Sequence, residues 1–391
     1  MDKEQVVLMV SYYFPPYANV STVRSLKYCK YLPKFGWKPQ ILTVNERYYK
    51  GRTLSLSSFK LGSLSISRIP YLKFPLNTFF IKALFPIIVL LYLCKHHKNI
   101  DVIYFSGSPF HPFILTVVLG AFFKKPTVLD FRDSWSINHG FDGRAAAGWL
   151  EKTGVWLVGK VEKASIRFAS SVIFATSLLQ QEYEELYPNY TRKYKTIPNG
   201  YDPEDFLDIE PIYVTNKKTL ILAGQFSIYT PDAVRSLMGA LKLLPDVHFI
   251  YIGNEANLIK DTAEVYSVAH LVTTYPYMPY EKVLSYVAGA DFAILSNGMR
   301  NGMGTKIFDY LVLNKPTLCF VPEGSVITQQ FSVLESVLVC EPPYTASSVT
   351  VTIEKLLLLK DTKGNADAIK KFSRVEATQK LAKVFEEAGR R

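Results

Sequence analysis

The 391-residue chain contains little cysteine: four residues in all, none at the short spacing of a zinc or redox pair. The sequence therefore predicts neither a disulfide framework nor a zinc site. It also lacks a Gly-x-Gly-x-x-Gly fingerprint, which counts against a dinucleotide-dependent oxidoreductase. Low-complexity tracts are missing too, and 48% of the residues are hydrophobic, which excludes a largely disordered protein.

Acidic residues are scarce in the first hundred positions, which hold 15 Lys or Arg against 3 acids. The other 291 residues hold 30 basic and 31 acidic residues, so the net charge of +11 is concentrated in the first quarter. We expect this quarter to meet an anionic partner such as phosphate, a lipid surface or nucleic acid. Nucleic acid is disfavoured, because aromatics such as Tyr12 and Tyr13 fall at a strand end rather than on a basic sheet face.

Long hydrophobic runs are also few. The N-terminus carries Asp2 and Glu4 before a five-residue apolar run, which indicates a first strand rather than a signal peptide and predicts a cytoplasmic protein. Segment 79–94 is almost wholly apolar, but its uncharged part, Ala83–Cys94, would span only about 18 Å as a helix, against about 30 Å for a bilayer core. Its basic flanks are typical of a helix lying in an anionic membrane interface, and a buried crossover helix fits the pattern equally well.

Short β-rich runs alternate with longer helical patterns, which predicts an α/β protein with two parallel, doubly wound sheets. The predicted strands are Val6–Val10, Gln40–Val44, Val102–Phe105, Thr127–Phe131, Ser171–Ala175, Thr219–Ala223, His248–Ile252, Phe292–Leu295 and Thr317–Val321. A polar, acidic stretch over 202–218 is typical of a linker. We therefore predict a first domain over 1–203, a second domain over 204–365, and a C-terminal helix over 366–391 that packs back toward the first domain.

Ligands of open α/β sheets bind beyond the carboxyl ends of the strands, in the cleft where two such domains face each other. After the first strand, Asn19 and Ser21 lead into a helix that contains Arg24. Since the free amides of a helix start attract anions, we predict that these three residues form a phosphate-binding loop. An ordinary strand–loop–helix connection would explain the same pattern.

Charged residues are crowded at the end of the fourth strand, in "DFRDSW". A guanidinium suits phosphate or sugar hydroxyls and a carboxylate can accept a proton, so we predict that Arg132 and Asp133 are catalytic. The alternative is a structural ion pair of Arg132 with Asp130 or Asp133. His111, after the third strand, is either a further cleft residue or the start of a helix.

The second half contains "NGMRNGMGTKIFDY", in which glycines form a permissive loop and a lysine opens a helix. Glycines, free amides and a lysine at a helix start suit a diphosphate. An acid one turn further on is within reach of a ribose or sugar hydroxyl. A glycine-rich loop before an ordinary amphipathic helix is the alternative. The candidates for this diphosphate site are Gly304, Thr305, Lys306 and Asp309, and Gly224 and Gln225, which follow a strand in "LAGQFS", would border the same cleft.

Taken together, the motifs resemble those of the family 4 retaining glycosyltransferases of GT-B fold, in the branch that builds exopolysaccharide and O-antigen. "FPP…R…K.LPKFGW.P.ILT" is similar to that family's opening strand, loop and helix, "DFRDSW" to its fourth-strand motif, and "IPNGYD" to the turn before its linker. "YMPYEKVLSYVAGADFAIL" followed by "GTKIFDYLVLNKP" resembles its donor half. The resemblance covers most of the chain.

The resemblance implies two Rossmann-like domains facing a central cleft, with a nucleotide-sugar (UDP- or GDP-sugar) held by the second domain and a lipid-linked or polysaccharide acceptor held by the first. It implies that Lys306, which is then catalytic together with Arg132 and Asp133, holds the diphosphate with the Gly304–Thr305 amides. Asp309 would contact the ribose, Tyr275–Met278, with Tyr277, would read the base, and Gly224, Gln225 and Asn301 would lie on the donor side. The acceptor or phosphate loop would contain Asn19, Ser21, Arg24 and His111. The leaving phosphate would help to deprotonate the acceptor, so that no protein nucleophile, cofactor or obligatory metal is expected.

The sequence departs from the family pattern in ways that leave the activity open. Either Lys306 and Arg132 compensate, or the donor is unusual, or the protein is an inactive partner or scaffold in a glycan-assembly complex. The departures are Asn301 at the first glutamate of the paired-acid motif, Gln225 at the phosphate arginine, Pro231 at a lysine, and Asn19-Val20 at a glycine pair.

The leading hypothesis is thus a retaining hexosyltransferase-like enzyme of polysaccharide or lipopolysaccharide biosynthesis. Its basic, apolar Leu72–Lys98 region would seat it on anionic lipid, as a cytoplasmic protein peripheral to the inner face of the cell membrane. No nucleic-acid partner is expected.

Overall fold

The computed structural model describes residues 4–17, 20–49, 64–71, 73, 77–119, 123–137, 149–359 and 368–390, without the side chains of 20–21, 77–79 and 149–152. The chain forms two compact units: Met1–Asn199 with Arg374–Arg391, and Gly200–Ser373. The first division falls just before the predicted boundary at 203. The second falls after Ser373 instead of after residue 365, and the C-terminal helix that belongs to the first unit begins at Arg374 instead of at residue 366. Residues 366–367 of the predicted last helix lie outside the described residues.

The described part of the first unit contains a sheet of seven strands: β1 (Gln5–Ser11), β2 (Trp37–Val44), β3 (Ser65–Ile69), β4 (Val102–Ser106), β5 (Thr127–Phe131), β6 (Ser171–Phe174) and β7 (Tyr194–Thr196). All neighbours are parallel, in the order β3-β2-β1-β4-β5-β6-β7. The chain moves outward from β1 to β3 and then crosses back to β4 on the other side of β1. This reversal is the topological switch point at which open α/β sheets bind ligands.

Helices cover both faces of this sheet: α1 (Val20–Tyr31), α2 (Asn77–His96), α3 (Leu115–Val118), α4 (Trp149–Phe168), α5 (Ser177–Leu186) and, from the end of the chain, α12 (Arg374–Gly389). Side chains of α2, α3, α4 and α5 share one buried cluster, whereas α1 and α12 share a second cluster with the opposite faces of the strands. Phe385 of α12, for example, packs edge-on against Trp37. The strands are therefore buried on both faces, which explains their continuous apolar runs.

The second unit repeats this plan with strands β8 (Lys218–Ala223), β9 (Val247–Ile252), β10 (Val272–Tyr275), β11 (Phe292–Ser296), β12 (Thr317–Phe320) and β13 (Val337–Cys340). Their order is β10-β9-β8-β11-β12-β13, again all parallel. Its helices are α6 (Pro231–Leu243), α7 (Ala256–Val265), α8 (Tyr280–Gly289), α9 (Lys306–Val312), α10 (Val326–Phe331) and α11 (Ala346–Leu357). The predicted fold class, two doubly wound Rossmann-like sheets, is confirmed.

Segment 79–94 lies within α2, where one side of the helix is part of the core. Ile81, Phe85, Val89 and Leu93 recur every four residues and are almost completely buried in the cluster beneath α2 to α5. Since this spacing places all four on one helix face, the interpretation as a crossover helix is confirmed for that face.

The opposite side of α2 is apolar as well but faces outward. Phe80, Ile87 and Leu91 are exposed by 44%, 55% and 64%. Among the described residues, one helical stretch, Phe80–Asn99, is long and apolar enough to cross a membrane by length and composition, and 22% of its 18-residue apolar window is buried. α2 extends beyond the uncharged run Ala83–Cys94 at both ends, so it is longer than the run considered in the sequence.

Candidate functional site

The switch point of the second unit lies between β8 and β11, the two central strands from which the sheet grows in opposite directions. The loop after β8 covers 224–230, and the loop after β11 covers 297–305. The Ser296 and Thr230 hydroxyl oxygens lie 2.9 Å apart and join the two loops by a buried hydrogen bond. The donor-side candidates of the sequence are thus brought to one edge of one sheet.

Side chains of β9 and of the start of α7 hold the loop after β8. The Tyr251 hydroxyl donates to the Gly224 carbonyl at 2.6 Å, and Glu255 Oε2 accepts from the backbone N–H groups of Phe226 at 3.0 Å and Ser227 at 2.7 Å. Two loop amides that could otherwise bind an anion are therefore occupied by a carboxylate of the protein itself. Gln225, which directly precedes Phe226 in the chain, has an exposed side chain.

The glycine-rich loop after β11 is organised by one buried amide. The Asn297 side chain donates to the Gly302 carbonyl at 2.7 Å and to the Met299 carbonyl at 3.3 Å, and it accepts from the Met299 N–H at 3.2 Å. These three bonds close the loop into a defined turn ahead of Gly304 and Thr305, which are half-buried. Asn301 lies at the middle of this turn and is also half-buried.

Lys306 begins α9, and its side chain lies across Gly224. The Lys306 Cε is 2.9 Å from the position that a Cβ on Gly224 would occupy, and Gly224 has a φ of +119°. Burial lowers the pKa of Lys306, and the nearby Asp309 carboxylate opposes this shift. Within the described residues, no hydrogen bond or ion pair engages the Lys306 ammonium. A half-buried cation of this kind can bind an anionic group.

Asp309 is tied to the predicted base-reading segment. The Tyr280 hydroxyl donates to Asp309 Oδ1 at 2.8 Å, and Tyr280 begins α8 two residues after that segment. Tyr277, within the segment, is 42% exposed. Asp309, predicted to contact the ribose, is therefore hydrogen-bonded to the helix that follows Tyr277, the residue predicted to read the base. Pro231, at the position of the family's lysine, is the first residue of α6.

In the first unit, Arg24 forms a buried ion pair with Asp130. Arg24 Nε and Nη2 donate to the two carboxylate oxygens of Asp130 at 2.7 and 3.1 Å, and Nη2 also donates to the Ile197 carbonyl at 2.8 Å. Arg24 Nη1 donates to the side chain of Asn199 at 3.2 Å. Arg24 is 1% exposed, so its guanidinium is engaged by the protein rather than open to an acceptor. The structural ion pair considered for Asp130 exists, but with Arg24 in place of Arg132.

Arg132 and Asp133 lie side by side just beyond β5, as predicted, but in different surroundings. Arg132 is half-buried, its Nε donates to the Gly107 carbonyl, and burial lowers its pKa although Asp130 and Asp133 act in the opposite direction. Asp133 is exposed, yet desolvation by the protein atoms around it raises the pKa of its carboxyl group, and Arg132 limits the rise. An exposed carboxylate with a raised pKa beside a guanidinium can accept a proton or orient a hydroxyl.

Glu162 of α4 holds the backbone that follows Asp133 through hydrogen bonds. Glu162 is fully buried and accepts from the hydroxyls of Tyr183 and Tyr187 and, at 3.4 Å, from the Ser136 N–H. Tyr183 in turn accepts from the Trp135 N–H at 3.0 Å. Burial raises the pKa of the Glu162 carboxyl. This network holds the "DSWS" turn in place.

The remaining acceptor-side candidates are described less fully. His111 is exposed after β4, and its pKa is lowered by burial of the ring and by the charge of Lys82 on α2. Asn19 lies outside the described residues, and Ser21 lies in the first turn of α1, where its side chain is not described. Among the described residues, no group of three or more His, Cys, Asp or Glu side chains could hold a metal ion.

Sequence reasoning missed several residues that shape this site: Tyr251, Glu255, Tyr280, Asn297 and Glu162. Glu255 follows β9 by three positions, so the rule applied to other strand ends would have identified it. The partners of Tyr280 and Glu162 are 29 and 21 residues away in the chain, and no local pattern indicates such contacts.

Two doubly wound Rossmann-like units with these strand orders define the GT-B fold. No family profile and no curated protein matches the sequence. Among solved structures, the chain is similar to Anabaena HepE in complex with UDP and glucose, at 14% identity and a TM-score of 0.68 over 98% of this chain and 99% of that one.

Two further neighbours show how widely the fold is used. WaaG, a glycosyltransferase involved in lipopolysaccharide biosynthesis, is 13% identical with a TM-score of 0.64 over 98% of both chains. A putative UDP-N-acetylglucosamine 2-epimerase from Listeria monocytogenes is 10% identical with a TM-score of 0.60 over 97% of this chain and 95% of that one. At such identities the likeness establishes the fold, and the activity has to be argued from the site.

Proposed function

We propose that this protein is a glycosyltransferase that moves a sugar, with retention of configuration, from a nucleotide-sugar to a lipid-linked or polysaccharide acceptor. The observation that carries the proposal is the Lys306 ammonium, which is half-buried over Gly224 at the switch point of the second unit and makes no hydrogen bond or ion pair within the described residues. A diphosphate is the anion that such a position suits, because it brings two negative charges to a cation already removed from bulk water. Neighbours solved with UDP support this choice of ligand.

The donor would lie along the edge of the second unit. Lys306 neutralises the diphosphate, Asp309, held by Tyr280, accepts from the ribose hydroxyls, and Tyr277 lies against the base. UDP- and GDP-sugars are the donors expected. Because Glu255 occupies the amides of Phe226 and Ser227, the diphosphate lies nearer to Gly304 and Lys306 than to the β8 loop.

In the reaction, the bond between the anomeric carbon and the diphosphate oxygen breaks while the acceptor hydroxyl attacks from the same face of the sugar. The leaving phosphate takes the acceptor proton, and Lys306 stabilises the charge that develops on the leaving group. Arg132 and Asp133 orient the acceptor. These roles consist of positioning and charge stabilisation, so we expect no resident cofactor and no obligatory metal.

The acceptor side would be a membrane surface. Phe80, Ile87 and Leu91 form an outward apolar stripe on α2, and the basic ends of the helix add positive charge. The other side of α2 is fixed in the core of the first unit, so the helix would lie in the interface rather than cross the bilayer. We therefore propose a protein peripheral to the cytoplasmic face of the membrane.

A thermal-shift screen of UDP-, GDP-, CMP- and dTDP-sugars, followed by calorimetry with the best ligand, tests the proposal. Lys306→Ala should weaken binding about 10- to 100-fold, because one charge-assisted hydrogen bond is lost. The control is Lys242→Ala, an exposed lysine in the last turn of α6, which should bind as wild type. Unchanged affinity in Lys306→Ala would contradict the site. If no donor is bound, transferred or hydrolysed, the alternative of an inactive scaffold would be favoured.

A further inference from the structure

The outward face of α4 carries a stripe of cationic and aromatic side chains. Trp156, Lys160, Lys163 and Arg167 are separated by four, three and four residues, the spacing that places side chains on one helix face. All four are exposed, and Trp156 is exposed by 59%. The Lys160 ammonium lies over the Trp156 ring, 5.3 Å from its centroid. We call these four residues the α4 stripe.

Apolar side chains border the stripe, and acids are missing from it. Leu157 and Phe168 are 52% and 40% exposed along one side. Among the described side chains of α4, residues 153–168, the single acid is Glu162, which is fully buried and bonded to tyrosine hydroxyls. A solvated helix face normally mixes charges of both signs and leaves large aromatics out. The α4 stripe instead combines one sign of charge with exposed rings.

The α4 stripe lies on the same face of the sheet as the apolar stripe of α2. Both helices pack into one cluster of buried side chains, and both contact the segment His111–Val118 between them. Each connects the carboxyl end of one strand to the start of the next strand along the chain in this parallel sheet, so the two helices run in the same direction. One side of the first unit therefore presents an apolar stripe on α2 and a basic, aromatic stripe on α4.

We infer that the α4 stripe is a second membrane contact, which binds the phosphate groups of anionic lipids through Lys160, Lys163 and Arg167. Trp156 and Leu157 enter the interface between headgroups and acyl chains, the depth at which indole rings partition. A bilayer suits this surface better than a nucleic acid or an acidic protein, because it alone offers negative charge and an apolar layer to the two stripes at once.

This inference rests on the membrane location proposed above and makes it more specific. Contact through two parallel helices fixes the orientation of the first unit on the bilayer. Contact through α2 alone would allow the unit to rotate about the α2 axis. The carboxyl ends of the strands, with Asp133 and His111, lie at the starting end of both helices. An acceptor held at the bilayer surface would meet that end of the unit.

Partition of the full-length protein onto vesicles tests the inference. The vesicles are phosphatidylcholine alone or mixed with phosphatidylglycerol, and the variant is Lys160→Glu with Lys163→Glu. Each basic residue near an anionic surface contributes about fivefold to binding, so the double variant should lose at least about tenfold on the anionic vesicles. Trp156→Ala should weaken binding to a smaller extent. The matched control is Lys242→Glu with Lys260→Glu on exposed positions of the second unit, which should bind as wild type.

A further variant, Ile87→Ser with Leu91→Ser, separates this inference from the proposed seating of α2. If that variant loses binding while the α4 variant partitions as wild type, the α4 inference is wrong and the seating on α2 stands. If the α4 variant loses affinity for single-stranded RNA but not for vesicles, the stripe serves a nucleic acid and the inference is again wrong. Nucleotide-sugar binding should be unchanged in every variant, so that failure of the donor proposal would be seen separately.

Discussion

The aliphatic chain of Lys306 lies across the backbone of Gly224, with 2.9 Å between the Lys306 Cε and the position of an added Cβ. The contact joins the loop after β8 to the start of α9, the two segments on either side of the switch point. Two features favour glycine at position 224. A Cβ would contact Lys306, and the φ of +119° is a backbone conformation that other residues rarely adopt. The direction of the Lys306 ammonium is therefore set by a glycine 82 positions earlier in the chain.

Gly224→Ala should weaken nucleotide binding about tenfold or more, because the added methyl group displaces Lys306 and strains the backbone. It should also lower stability by about 1 kcal/mol. Calorimetry with the preferred nucleotide and thermal unfolding measure the two effects. Gly154→Ala is the control: a Cβ on this residue of α4 meets nothing within 4 Å, so the change should stabilise the helix by up to about 1 kcal/mol without altering binding. Wild-type affinity in Gly224→Ala would show that the contact does not orient Lys306.

Glu255→Ala should loosen the loop after β8, because the N–H groups of Phe226 and Ser227 lose their acceptor. Each unsatisfied group costs about 1–3 kcal/mol where it is buried. We expect a lower melting temperature and weaker nucleotide binding. Tyr251→Phe should act in the same direction, since it removes the bond to the Gly224 carbonyl. The control is Tyr344→Phe, in a tyrosine of the same unit whose ring packs edge-on against Phe320. Tighter binding in Glu255→Ala would mean that the carboxylate competes with the ligand for these amides.

Asp130→Asn should be strongly destabilising, by about 3–5 kcal/mol, because it leaves the Arg24 guanidinium buried without a counter-charge. Asp133→Asn, three residues further on and exposed, should change stability by less than about 0.5 kcal/mol and reduce sugar transfer instead. Denaturant unfolding and a transfer assay distinguish the two. Equal loss of stability in both variants would contradict the different roles assigned to these carboxylates.

Nucleotide binding should depend on the protonation of Lys306. Burial lowers the pKa of Lys306 in the free protein, and a bound diphosphate would raise it again. Affinity should therefore be highest at neutral pH and fall as the pH rises through the lowered pKa, with proton uptake on binding in that window. Calorimetry at several pH values, in buffers of different ionisation enthalpy, measures both quantities. In Lys306→Arg the affinity should not change with pH over the same range, since arginine remains protonated. A nucleotide affinity of the wild type that does not change with pH would contradict this prediction.

The strands show which part of the fold could be predicted from the sequence. All nine strands predicted from apolar runs are present, and the four further strands within the described residues, β3, β7, β10 and β13, are the outermost strands of the two sheets. An outermost strand has one neighbour and is only partly covered, so it needs no continuous apolar run: β10 consists of four half-buried residues, "VTTY". Local patterns find the strands that the core buries and miss those that it does not.

By itself, the sequence determined the α/β class, the two parallel sheets and the positions of the candidate site residues after their strands, because burial periodicity and strand ends are local properties of the chain. Tertiary structure alone decided the pairing of those residues. Asp130 pairs with Arg24 and not with its neighbour Arg132, Asp309 with Tyr280, and Lys306 lies over Gly224. These contacts join residues 29 to 106 positions apart, and only the winding of each sheet brings such distant segments to a common edge.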